Sequence, residues 1–323
     1  MSGAHLLLPE GQRYYDSLRE QPRFDPSITP AEWRKGRLSQ MPKLVLPEHV
    51  REPVDATVPA EETGTEVPLR IYAPKGDNPA VPVLVYFHGG GFVGGNLNSH
   101  AQIAANYCEY AQAVVIAVDY PLAPKHPFPA AVEASWSALR WAAANAERYG
   151  GDPERLAVVG ESAGGNLTLV MGLLAKQREQ PHLIQALVSL CPVVDAADMT
   201  RQSYKDFCDD EFEPKAQIEW FMEHYHRSIG ADPKNPHISP IYAGDLRGLP
   251  PTFIITAEVD VLRDEAKDFA DKQERAGVHV QYKMCKGHFH NSMIKPEIYG
   301  QAAEDTFKEI AAFIHAQTST QTD

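Results

Sequence analysis

The chain has 323 residues, of which 43% are hydrophobic and 23% charged; that balance suits one large body carrying an insertion and excludes disordered and fibrous classes. Thirty Lys and Arg against 43 Asp and Glu leave a formal net charge of −13, which repels nucleic-acid backbones and anionic headgroups and argues against both as partners. No stretch reaches the roughly 18 consecutive apolar residues that would span a bilayer. The opening MSGAHLLLPEG lacks the basic and apolar regions of a signal peptide, so a cytoplasmic location is expected. Cys108, Cys191, Cys208 and Cys285 share no CxxC spacing, which predicts free, mostly buried thiols and neither a zinc site nor a disulfide framework.

In chain order, two amphipathic patterns come first, EGQRYYDSLREQ and AEWRKGRLSQM, separated by the Pro-rich PRFDPSITP. They predict helices lying over another part of the molecule. From Glu66 the pattern changes to apolar runs alternating with helical periods. EVPLRIYAP, VPVLVYFH, AVVIAVDY, RLAVVGE, IQALVSLCP, TFIITAE and VHVQYKMCK read as strands, and their β-branched, aromatic-rich composition is the reason. PAAVEASWSALRWAAANAERYG, which ends on a Gly-Gly stop, and SAGGNLTLVMGLLAKQRE read as helices. Strand, helix, strand in repetition predicts a mostly parallel sheet covered on both faces. Between Pro192 and Pro250 the pattern is helical, as in IEWFMEHYHRSIG, with no strand, and reads as a lid.

After the strand RLAVV comes Gly160-Glu161-Ser162-Ala163-Gly164, a GxSxG between strand and helix. A serine lifted out of a sheet on such a turn takes a strained backbone, and the glycines two positions either side remove collisions with neighbouring elements. The turn also aims the next helix at the reaction centre, so the N–H of Ala163 can donate to an oxyanion. Upstream, His88-Gly89-Gly90-Gly91 follows another strand. Gly89, Gly91 and Gly94 also satisfy GxGxxG, with Asp119 at the end of the next strand as a ribose-binding acid would be. Against that dinucleotide reading, Asn96, Asn98 and Ser99 are the natural caps and start the helix several residues beyond the glycines. HGGG upstream of GxSxG instead supplies the loop donors of a lipase or esterase oxyanion hole.

A nucleophile elbow calls for an acid and then a histidine, each after a later strand. Asp260 is the best placed acid and Glu258 the next, while Asp264 and Glu265 fall in the first turn of a helix, where acids commonly favour the dipole. His288 and His290 both follow the last strand, and spacing does not separate them. His279, read as lying in that strand, and His224 and His226, in the insertion, are expected to be structural or exposed. No HExxH spacing points to a metal.

These residues resemble the bacterial hormone-sensitive-lipase-like esterases of the α/β-hydrolase fold, through HGGGFVGG, DYPLAPKHPFPAA, YGGDPERLAVVGESAGGNL, AEVDVLRDEA and KGHFHNSM. The resemblance implies an eight-stranded, mostly parallel sheet with helices on both faces and a helical cap. Its cap would comprise residues 1–50 and 193–250, and its catalytic domain 51–192 and 251–323. It places the nucleophile on Ser162, the acid on Asp260 and the base on His290, with oxyanion donors at Gly89, Gly90 and Ala163; His88, Gly91, Gly160 and Gly164 shape the motifs. It implies hydrolysis of short-chain acyl esters through an acyl-enzyme, no cofactor, and a possible homodimer through the last strand and the helix near Ala302 to Ala316. A non-catalytic receptor on the same fold is the alternative, and the presence of His290 argues against it. Three departures from the family pattern, Glu161 for Asp, Lys125 for Glu, and Asn291-Ser292 for Gly-Phe, leave every catalytic group in place and put substrate preference in question.

Overall fold

The computed structural model describes residues 3–20, 23–39, 43–60, 64–76, 80–209 and 213–319. Two N-terminal helices, α1 (Pro9–Arg19) and α2 (Pro30–Ser39), precede the strands β1 (Val54–Ala60), β2 (Thr65–Tyr72) and β3 (Val81–Phe87). Then follow α3 (Ala101–Ala111), β4 (Val114–Val118), α4 (Ala130–Asn145), β5 (Gly151–Glu161), α5 (Ala163–Gln177) and β6 (Ala186–Leu190). The segment between sheet strands carries α6 (Gln202–Phe207) and α7 (Lys215–Tyr225). The chain closes with β7 (Thr252–Val259), α8 (Arg263–Arg275), β8 (Val280–Phe289), α9 (Pro296–Tyr299) and α10 (Gln301–Thr318).

The strands form one eight-stranded sheet in the order β1-β2-β4-β3-β5-β6-β7-β8. Only the β1–β2 and β2–β4 pairings are antiparallel. This is the expected α/β-hydrolase architecture. Seven strands were legible as apolar runs, and β1 was not. It is an edge strand whose first half faces solvent, and it contains Pro59, which an edge tolerates because no neighbour needs its missing N–H. The dinucleotide reading does not survive: β2 and β4 are antiparallel, and α3 starts only at Ala101, well beyond the glycines. The cap of α3 is His100; Asn96 acts one turn earlier, its Oδ1 accepting the N–H of Asn98 and Ser99 at 2.9 and 2.8 Å.

Alternate residues of each central strand point to opposite faces, which is why both faces must be covered. Val83, Val85, Phe87, Val158 and Leu187 pack beneath α4 and α5, with Val132, Leu139, Leu167, Val170 and Leu174. Leu84, Tyr86, Val115, Val159 and Val188 pack beneath α3 and α10, with Tyr107, Phe307, Ile310 and Ile314. A third cluster joins α5 and α8 through Leu169, Leu173, Phe269 and Ala270. Each fully buried aliphatic or aromatic side chain contributes about 1.5–3 kcal/mol relative to exposure, so the sheet is a rigid platform. The loops that follow its strands sit on that platform. Among the described residues all four cysteines are free, with Cys208 alone partly exposed, and no helix is long and apolar enough to cross a membrane.

The 192–250 segment divides. Its second half packs on the body: Ala243, Leu246 and Leu249 join the α5–α8 cluster, and Lys272 donates to the carbonyls of Ile241 and Ala243. Its first half, with α7, meets α2 and the loop before it above the glycine loop: Trp33 of α2 and Phe221 lie 5.3 Å apart edge to face, and Phe24 of the preceding loop and Trp220 do the same at 5.8 Å.

Candidate active site

The expected catalytic residues lie at or just after the ends of three strands, β5, β7 and β8. At the end of β5 the chain turns sharply into α5, with Ser162 at φ 57 and ψ −118, a conformation that non-glycine residues adopt only where their surroundings enforce it. The flanking glycines have the predicted reason to be there. A Cβ on Gly164 would lie 1.9 Å from the carbonyl oxygen of Phe87, and one on Gly160 would lie 2.4 Å from that of Gly164. The N–H of Ser162 is tied to the carbonyl of Leu190 at 2.8 Å, which pins the turn to β6.

The loops after β7 and β8 bring Asp260 and His290 together: Nδ1 of His290 donates to Oδ2 of Asp260 at 2.7 Å. The other oxygen of Asp260 accepts the N–H of Leu262 at 2.9 Å, so this carboxylate is fixed at both ends. Asp260 is 2% exposed, whereas Ser162 and His290 are each 9% exposed; the acid therefore sits behind the imidazole. Burial by itself would push the His290 pKa down. The charge of Asp260, its hydrogen bond and the charge of Glu213 prevail and hold it above its ordinary value of 6.5. Asn291 adopts the left-handed region at φ 57, which Asn tolerates better than most residues. Ser292 then accepts the N–H of Phe289 at 3.0 Å. The Asn-Ser departure thus builds the turn that carries His290.

The other candidates are engaged elsewhere. Glu258 accepts the N–H of Gly287 at 2.8 Å. Asp264 accepts from Ser203 and from Arg263, and Glu265 is buried against the N–H groups of Val194 and Asp195 and the hydroxyl of Tyr204. His288 bonds Ser292 Oγ at 3.2 Å and stacks on Tyr299. His279 is exposed and precedes β8 instead of lying in it; His226 is buried in the insertion and His224 is partly so. Lys125 is exposed.

The glycine loop differs from expectation at one donor. The N–H of Gly89 is already spent on Glu161 Oε1 at 2.7 Å, which also accepts the hydroxyl of Tyr86 at 2.9 Å. Gly89 is therefore not free to serve an oxyanion. The N–H groups of Gly90, Gly91 and Ala163 donate to nothing among the described residues. Gly91, expected only to shape the motif, thus joins the available donors. Gly90 and Gly91 sit at φ 123 and 61, and a Cβ at Gly91 would meet the ring of Phe221 at 2.2 Å. Sequence reasoning missed this exchange because a HGGG string does not say which amide the Glu161 carboxylate takes. His88 donates from Nδ1 to the carbonyl of Gly89 and stacks on Tyr120; burial pushes its pKa down to about 4, so the ring is neutral.

Cys191 Sγ lies within 4.8 Å of the ligand atoms of Asp260 and His290, a mixed S, O, N donor set. The 2.7 Å between Nδ1 and Oδ2 is hydrogen-bond spacing, and an ion with ligands at about 2.0–2.3 Å would have to push these two atoms apart. The residues as arranged do not fit a resident metal.

Residues 84–294 match the model of a family described by its α/β-hydrolase fold. The chain belongs to that family. Within it the chain falls in the hormone-sensitive-lipase-like branch. As an α/β hydrolase it is similar to the carboxylesterase NlhH of Mycobacterium tuberculosis, at 38% identity over 78% of this chain and 79% of that protein. It is also similar to an ethyl acetate hydrolase of Pseudomonas putida, at 37% identity over 75% and 76% of the two chains. Among solved structures, a thermostable esterase from Pseudomonas putida ECU1011 superposes with a TM-score of 0.90 at 28% identity, covering 99% of this chain and 100% of that one.

Proposed function

We propose that this α/β hydrolase is a carboxylesterase acting on small acyl esters, with Ser162 as nucleophile, His290 as general base and Asp260 as the acid that orients it. The observations that carry this reading are the 2.7 Å bond between His290 and Asp260 and the strained backbone of Ser162 at the turn from β5 into α5. Ser162 Oγ attacks the ester carbonyl while His290 takes its proton through Nε2. The N–H groups of Gly90, Gly91 and Ala163 receive the oxyanion. Collapse of the tetrahedral species expels the alkoxide, which takes the proton from His290 and leaves as the alcohol. Water, deprotonated by the same imidazole, then attacks the acyl-enzyme; the bond to Ser162 Oγ breaks, the imidazolium returns its proton to that oxygen, and the acid is released. This sequence requires no cofactor.

We infer that α1, α2, α6 and α7 form a cap that limits the acyl pocket, because Trp33, Trp220 and Phe221 cluster directly over the glycine loop. The short-chain preference rests on that crowding and on the small ester named for one relative. Pairing of two copies along β8, the last strand of the sheet, is a further part of this reading, which sedimentation measures directly. A series of p-nitrophenyl esters from acetate to dodecanoate tests the whole: kcat/KM should be highest for the shortest chains. Absence of turnover on every member, or a rise toward the longest, contradicts it.

A further inference from the structure

The glycine loop is gripped from above by a residue that no motif contains. Arg34, on α2, donates from Nε to the carbonyl of Val93 and from Nη2 to the carbonyl of Ala123, each at 2.5 Å. Among the described residues no carboxylate pairs with it. A half-buried guanidinium that spends its donors on two carbonyls and meets no anion has been placed at a desolvation cost, and that burial pushes its pKa down. The fork geometry suits bridging, because two donors leave the same planar group in fixed directions, which an ammonium cannot reproduce.

The two carbonyls belong to one circuit. The N–H groups of Val93 and Gly94 both return to the carbonyl of Gly90, at 3.1 and 2.8 Å, and the N–H of Ala123 donates to the carbonyl of Phe92 at 2.9 Å. Arg34 closes that circuit by joining Val93 to Ala123. Within the 90–94 turn the N–H groups of Val93 and Gly94 are thus committed inward, while those of Gly90, Gly91 and Phe92 donate to no acceptor among the described residues; Gly90 and Gly91 are the two that belong to the glycine motif. Neighbouring side chains leave the turn no slack: a Cβ on Gly94 would meet Trp33 at 2.2 Å, and one on Gly91 would meet Phe221 at the same distance.

We infer that Arg34 is a positioning residue for the ester hydrolysis proposed above, holding the Gly90 and Gly91 N–H groups in the direction an oxyanion requires. The inference rests on that proposed function. A donor moved out of line loses part of its value in the transition state and little in the ground state, so kcat should fall while KM holds.

The test uses the full chain with Arg34→Met, which keeps most of the apolar stem, and Arg34→Lys, which keeps the charge without the fork. Steady-state kinetics on p-nitrophenyl butyrate, urea unfolding midpoints and the Ki of an alkyl trifluoromethyl ketone, a mimic of the tetrahedral species, are measured together. R34M should lower kcat by about 10- to 100-fold, part of the roughly 10²–10³ carried by a whole oxyanion donor. KM should change less than about threefold, and the ketone Ki should rise by the same factor as kcat/KM falls; R34K should recover part of the loss. A folded variant with kcat within about twofold of wild type, or a ketone Ki that stays put while kcat/KM drops, overturns the inference. If R34M does not fold, R34K is judged by the same criteria. A wild-type chain that binds the ketone but turns over no ester overturns the proposed function instead, and the ratio of ketone Ki values still decides the role of Arg34.

Discussion

Glu161 Oε1 accepts the backbone N–H of Gly89 at 2.7 Å, so the residue immediately before the proposed nucleophile holds the glycine loop from beneath. Burial, partly offset by these hydrogen bonds, pushes its carboxyl up to about 8. The other oxygen, Oε2, is buried without a partner among the described residues, which is the natural place for the proton.

The first expectation concerns that carboxyl. Glu161→Gln keeps an acceptor for Gly89 and Tyr86 and should stay within several-fold of wild-type kcat. Glu161→Ala leaves both donors buried and unpaired, at about 1–3 kcal/mol for each, and frees the loop. Urea unfolding and p-nitrophenyl butyrate kinetics on the two variants check this. Equal losses in both variants would mean that the charge, and not the acceptor, is what the loop needs.

A second expectation follows from His290. A base must be neutral to take a proton, and the Asp260 charge, outweighing burial, keeps the imidazole pKa above 6.5. The acid limb of kcat/KM should therefore bend above pH 6.5, with activity rising through the bend. Asp260→Asn removes the charge, so the bend should move down in pH while the rate falls by about 10⁴, as the wrong tautomer becomes favoured. A pH profile that bends at the same place in both proteins would assign the titration to another group.

Stability should also depend on pH through two buried acids. Burial is the leading cause that raises both Glu161 and Glu265 to about 8. An acid that holds its proton more tightly when folded contributes its full stabilisation below about 4.5 and loses it as pH rises toward 8. Below about pH 6.5 the buried neutral rings of His88, His100 and His288 act in the opposite sense, so urea midpoints should decline from about pH 6.5 to pH 9. Glu265→Gln, which keeps an acceptor for Val194 and Asp195, should flatten part of that decline. A slope unchanged by the substitution would mean that Glu265 does not titrate with unfolding in this range.

Much of this was legible in the sequence because the physical reasons are local. Seven strands announced themselves as apolar runs, since a sheet buried on both faces needs apolar residues on both. Gly160 and Gly164 were readable because their collisions involve residues of the turn itself and of one neighbouring strand. What the sequence did not show depends on contacts across long separations. β1 is half exposed and carries Pro59, so its pattern is weak. The choice between His288 and His290 followed only from resemblance, and it is the pairing with Asp260, thirty positions earlier, that distinguishes them in space. The spent amide of Gly89 required knowing that Glu161, seventy-two positions away, reaches under the loop. Arg34 lay in a segment read only as an amphipathic helix, and nothing in its neighbours signals that its guanidinium ends on Val93 and Ala123.

The claim on which the rest depends is that Ser162 is the nucleophile. Treating the purified chain with a fluorophosphonate and locating the adduct by peptide mass spectrometry tests it directly. One label per chain is expected on Ser162, with loss of ester turnover in step with labelling, and neither labelling nor turnover in Ser162→Ala. A label on another residue, or ester turnover that survives Ser162→Ala, would contradict it.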